Sequence, residues 1–96
     1  MKICMIDFET SGLSSQTSDV TELAAVTFNP ESWAYLDFFT TLVRCPLPLP
    51  DKITELTGIR SEDITNYGMD EVEAAFQLAR RIRQADYLMA HNADFD

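Results

Sequence analysis

Ile3-Cys4-Met5-Ile6-Asp7-Phe8-Glu9-Thr10 is an apolar run that ends in two acids. Ile3 to Phe8 is apolar on both faces, the pattern of a central strand covered from both sides. Asp7 and Glu9 stand two apart, so on a strand both side chains leave one face, while Phe8 points the other way into packing. Charges at the end of a buried strand need a partner, and a cation suits two carboxylates at once. A donor set made of oxygen favours a hard divalent ion such as Mg²⁺ or Mn²⁺. The dipeptide spacing alone fits equally well an Asp7 that caps the turn and a Glu9 that is merely solvated. Zinc fits less well, because the one histidine is His91 and the two cysteines, Cys4 and Cys45, have no ligand spacing.

Outward from this run, Ser11-Gly12 and the polar segment 14–19 read as a loop. Val20 to Asn29 reads as a second strand stopped by Pro30, and Trp33 to Val43 as a third. The short turn between them predicts an antiparallel hairpin. Pro46, Pro48 and Pro50 forbid regular structure. Asp51 to Thr57 predicts a short helix, with Asp51 as its cap and Gly58 as its stop, and Ser61 begins a further helical turn. The clearest helix runs from Asp70 to Ala85. Val72, Ala75, Phe76, Ala79 and Ile82 are read as its buried face. Asp70 and Glu73 suit its start, and Arg80, Arg81 and Arg83 suit its end, the charge order that the helix dipole favours. Tyr87 to Ala90 reads as a fourth strand, and His91 to Asp96 as a loop entering another helix. A helix between two strands is the connection that a parallel pair requires. The expected fold is a mixed α/β sheet with the first strand near its centre.

The length of 96 residues bounds the chain to one small domain, and a hydrophobic content of 46% is enough for a packed core. The formal charge of -9 argues against a broad basic surface for polyphosphate; any nucleic acid would be gripped in a cleft, with divalent cations offsetting the acids. No glycine-rich loop leads into a Lys-Ser/Thr pair, so P-loop chemistry finds no support. The start does not read as secretory and no apolar run approaches the length of a membrane span, so a reduced, cytoplasmic setting without membrane contact is expected.

A second group of acids closes the sequence in His91-Asn92-Ala93-Asp94-Phe95-Asp96. On a helix start Asp94 reads as a cap, whereas Asp96 is placed to face the end of the sheet. Asp-Phe-Glu-Thr-Ser-Gly-Leu after a first strand, with His-Asn-Ala-Asp-Phe-Asp about eighty residues on, resembles the DEDD (DnaQ-like) 3′–5′ exonucleases. Thr21 to Val26 and Ile53 to Ile59 resemble intermediate segments of the same family, so the likeness runs the length of the chain in order.

The resemblance implies a ribonuclease H-like mixed sheet: three antiparallel strands, a crossover helix, and a fourth strand parallel to the first. It implies that residues 1–96 are the N-terminal part of an exonuclease domain, without the last strands and C-terminal helices. It also implies hydrolysis with two ions of Mg²⁺ or Mn²⁺, Asp7 bridging both, Glu9 on the first and Asp96 on the second. Thr10 and Ser11 would meet the terminal nucleotide through their backbone. Leu13, Leu56 and Phe95 are candidates to pack against its base or sugar, with ordinary core packing an equal alternative, and His91 and Asn92 would brace the loop. No segment matches the family's third motif, which supplies a general base and a fourth carboxylate, so little activity is expected of these residues alone. The implied partners are a single-stranded 3′ end, DNA ahead of RNA, and a DNA polymerase; the uncovered sheet face invites self-association. The alternative is a non-catalytic ribonuclease H-like module that binds nucleic acid or protein.

Overall fold

The elements follow one another as β1 (Ile3–Thr10), β2 (Val20–Phe28), β3 (Tyr35–Leu42), α1 (Asp51–Thr57), α2 (Ser61–Tyr67), α3 (Glu71–Gln84) and β4 (Tyr87–Ala90). This computed structural model describes residues 1–12 and 18–90. The strands form one sheet in the order β3-β2-β1-β4. β1 pairs antiparallel with β2 and parallel with β4, and β2 pairs antiparallel with β3. The expected mixed sheet with a central first strand is therefore the observed one. Among the described residues, no helix is long and apolar enough to cross a membrane.

Turn chemistry sets the hairpin between β2 and β3. The Asn29 side chain accepts from the backbone N–H of Glu31 at 2.8 Å, and the Trp33 N–H donates to the Asn29 carbonyl at 2.7 Å. Trp33 takes φ 60°, a left-handed conformation costly for a bulky side chain. It stacks on Phe28 with ring centroids 6.0 Å apart. β3 consequently starts at Tyr35, two residues later than its aromatic composition suggests.

The helices begin and end for identifiable reasons. Gly58 stops α1 at φ 77°, where only glycine sits without strain, and its N–H donates to the Thr54 carbonyl. Pro50, not Asp51, occupies the cap position of α1, and Asp51 lies in the first turn. Ser61 opens a full seven-residue α2 rather than a single turn, and its Oγ accepts from the Leu49 N–H at 2.9 Å. That bond ties the proline segment to α2, where Leu49, Ile59 and Ile64 form a separate small core. Asp70 caps α3 by accepting from the N–H groups of Val72 and Glu73, whereas the Glu73 carboxylate turns instead to Gln77.

The buried face of α3 differs from the one read off the sequence. Ala74 is buried, and Leu78 and Ile82 are half-buried, whereas Val72, Ala75, Phe76 and Ala79 are exposed. Two apolar stripes run along this helix, and periodicity cannot choose between them. Packing selects the stripe of Ala74 and Leu78: Ala74 meets Leu23 and Val43, while Leu78 reaches Cys4, Ile6 and Ala25. Arg81 completes that face. Its Nε donates to Asp37 at 2.6 Å and its guanidinium lies 4.3 Å from the centre of the Phe39 ring.

Ala74→Leu is expected to destabilise the fold by about 1–3 kcal/mol through overpacking. Phe76→Ala is expected to stay within about 0.5 kcal/mol of the parent. Urea unfolding of the two variants distinguishes the faces; equal losses would restore the first reading. A second expectation concerns pH. The side-chain and backbone hydrogen bonds from Arg60 hold the Asp63 carboxyl below its ordinary range. A group depressed in the folded state stabilises above its unfolded pKa, and that contribution is lost as pH falls through the lowered value. Acid unfolding of Asp63→Asn should show a shallower loss below the usual carboxylate range.

Candidate active site

Asp7 and Glu9 occupy alternate positions near the carboxyl end of β1, with Phe8 between them packing toward α3. Both acids therefore leave the face of the sheet opposite the helix. Asp7 is exposed and stands across from Ala24; Glu9 is half-buried and stands across from Glu22. Directly opposed residues of an antiparallel pair share a face, so Glu22 joins the two expected acids there. Sequence alternation could place Glu22 opposite Leu23, but only the strand register sets it against Glu9. Like charges directly opposed destabilise a strand pair unless a cation or hydrogen bond offsets them.

The end of β1 is held in place by its own loop. A register shift falls between Glu9 and Thr10. The Thr10 hydroxyl donates to the Gly12 carbonyl at 2.6 Å. The Ser11 N–H donates to the Asp19 carbonyl at 2.8 Å, and the Asp19 N–H returns a bond to Ser11 Oγ at 2.9 Å. Thr10 and Ser11 are thus anchored beside the acid pair. Behind Phe8, on the helix side, an apolar cavity of about 170 Å³ lies between Val20, Leu23, Val43 and Ala74.

β4 runs beside β1 in the same direction, with Ala90 opposite Ile6, one position before Asp7. The acids therefore lie just past the last residue of β4, at the carboxyl edge of the parallel pair, the location where open α/β sheets bind ligands. His91, Asn92, Phe95 and Asp96, and likewise Leu13, lie outside the described residues. Leu56 is exposed on α1, away from any core cluster.

The donor chemistry fits a hard cation in part. Asp7 and Glu22 have no ion pair among the described residues, whose salt bridges join Arg60 to Glu62 and Asp63 and Arg81 to Asp37. No three His, Cys, Asp or Glu side chains among the described residues come close enough together to hold a metal. Burial pushes the Cys4 and Cys45 thiols up.

The RNase_T family model, described as exonuclease, matches residues 4–96. The chain belongs to this exonuclease family. The PolC-type DNA polymerase III of Bacillus cereus is 36% identical over 92 residues, a stretch that covers 96% of this chain and 6% of that polymerase. Its counterpart from Listeria innocua is 32% identical over 93 residues, covering 97% of this chain and 6% of the relative. The chain thus spans a small fraction of the curated relatives it matches. Among solved structures, exonuclease I from Methylocaldum szegediense superposes with a TM-score of 0.87 at 16% identity, over 99% of this chain and 21% of that one. Escherichia coli exonuclease I, solved with a dT13 oligonucleotide, gives a TM-score of 0.82 at 15% identity, over 95% and 20%. These likenesses establish the ribonuclease H-like exonuclease fold.

Proposed function

We propose that this chain contributes the first part of a 3′–5′ exonuclease site that removes nucleotides from single-stranded ends, DNA ahead of RNA, by metal-dependent phosphodiester hydrolysis. The observation that carries the reading is the pair Asp7 and Glu9 on one face at the carboxyl end of β1, beside the end of a parallel β4, in a chain of the exonuclease family. The oligonucleotide in the E. coli exonuclease I structure supports a single-stranded DNA substrate. The PolC-type relatives support a setting in DNA replication, in the cytoplasm, with a DNA polymerase as partner. Self-association through the exposed aromatic face of the sheet belongs to the same reading.

Asp7 would bridge two ions of Mg²⁺ or Mn²⁺, with Glu9 on one and Asp96 on the other. Bound there, the ions would supply Lewis-acid polarisation of the phosphate and an acidified water. The protein's own part is positional. The bonded neck of Thr10, Ser11 and Asp19 keeps the backbone of the strand end rigid, so it can receive the terminal nucleotide without reordering. Leu13, Leu56 and Phe95 would pack on the base or sugar, with His91 and Asn92 bracing the loop. Glu22 adds negative potential across from Glu9, which favours cation uptake.

Calorimetric titration with Mn²⁺ is expected to show weak binding that Asp7→Ala removes. Unchanged binding in that variant overturns the assignment and favours a non-catalytic module. No segment of the sequence matches the family's third motif, so the chain by itself should release 3′-terminal nucleotides only slowly. Rapid Mn²⁺-dependent degradation of single-stranded DNA by the purified chain would contradict this division of the site.

A further inference from the structure

At the other end of β1 the fold gathers positive charge. A cavity of about 280 Å³ opens between the start of β1, the end of β2, the start of β3 and the last turns of α3. Lys2, Arg80 and Arg81 line it, three of the seven bases of a chain whose net charge is -9. Lys2 precedes β1 and Asp7 lies near its far end, about 17 Å along the strand at the usual rise. The cavity is therefore separate from the acid pair. The cationic end of α3 would by itself be explained by the helix dipole. That account does not cover Lys2, which arrives from another element, or the convergence of all three on one cavity.

The three cations are not equivalent. Arg81 is neutralised by Asp37, which also lines the cavity, and it is further fixed by donating to the Gln77 carbonyl. Arg80 is oriented by a hydrogen bond from its guanidinium to Gln77 Oε1 at 3.1 Å. The Lys2 backbone is pinned to Asp86 by reciprocal bonds of 2.8 Å, which fixes where its side chain emerges. Neither Lys2 nor Arg80 has an ion pair among the described residues. The remaining walls include Thr27 and a single large apolar residue, Leu36.

We infer that this cavity is a binding site for a phosphate group, held by the Arg80 fork and the Lys2 ammonium with Arg81 as a rigid floor. A guanidinium and an ammonium together match a compact oxyanion with several acceptor oxygens. An acidic peptide would need an extended groove with apolar anchors, and one leucine does not provide it. Binding is weak and salt-sensitive because both free cations are exposed. The site stands independently of the exonuclease reading.

The test is an NMR titration of the whole chain with inorganic phosphate at low ionic strength. Signals of Lys2, Thr27 and Arg80 should move together and saturate. Lys2→Gln and Arg80→Gln should each weaken binding by roughly tenfold, the cost of one charge-assisted hydrogen bond. Arg83→Gln, an arginine of the same helix end that does not line the cavity, should change nothing. Equal weakening by Arg83→Gln, or the same shifts with chloride at matched ionic strength, overturns the site. Tighter binding of a polyglutamate peptide than of phosphate also overturns it. A metal-free deoxythymidylate oligonucleotide distinguishes the sources: shifts at the same residues identify a nucleic-acid backbone phosphate, and their absence identifies a free phosphate.

Discussion

The parallel pairing of β4 with β1 is the constraint on which the rest of this structure depends. Parallel neighbours cannot be joined by a tight turn, so the chain must cross over the sheet between them. α3 is that crossover. At 14 residues it is about 21 Å long at the usual helical rise, enough to return the chain to the starting end of β1. Its landing point is set by Lys2 and Asp86 where β1 and β4 begin: the Asp86 N–H donates to the Lys2 carbonyl, and the Lys2 N–H donates to the Asp86 carboxylate. Because both strands then run the same way, β4 ends opposite Ile6, one position before Asp7, at the edge of the sheet that carries the acids.

The same arrangement divides the charge. Acids collect at the carboxyl end of β1, where Glu9 faces Glu22 near the start of the antiparallel β2 and Asp7 lies on the same face. Bases collect at the opposite end, where the last turns of α3 meet the start of β1. A strongly acidic chain thus carries an electropositive cavity, and the sheet separates it from the acids by the length of a strand. Phosphate chemistry at either end would use a different device: a cation held by carboxylates at one, and guanidinium and ammonium groups at the other.

Much of this was legible in order and type. The apolar run Ile3 to Phe8 reads as a central strand because it is apolar on both faces, and β1 has partners on both sides. Asp70 reads as a cap and Gly58 as a stop because the chemistry of a helix end is local. Faces were less legible. Val72 and Phe76 make as good an apolar stripe as Ala74 and Leu78, and the difference lies in what the helix meets. Trp33 has the composition of a strand residue, yet the bonds around Asn29 place it in a left-handed turn.

By itself, the sequence determined the succession of strands and helices, the alternation that puts Asp7 and Glu9 on one face, and the family to which the chain belongs. These follow from local geometry and from short motifs, which need no knowledge of distant neighbours. The tertiary structure alone decided which side of α3 is buried, that Glu22 stands opposite Glu9, and that Lys2 shares a cavity with Arg80. Each of these is a pairing between residues far apart in the chain. Register and packing, which no local window contains, bring them together.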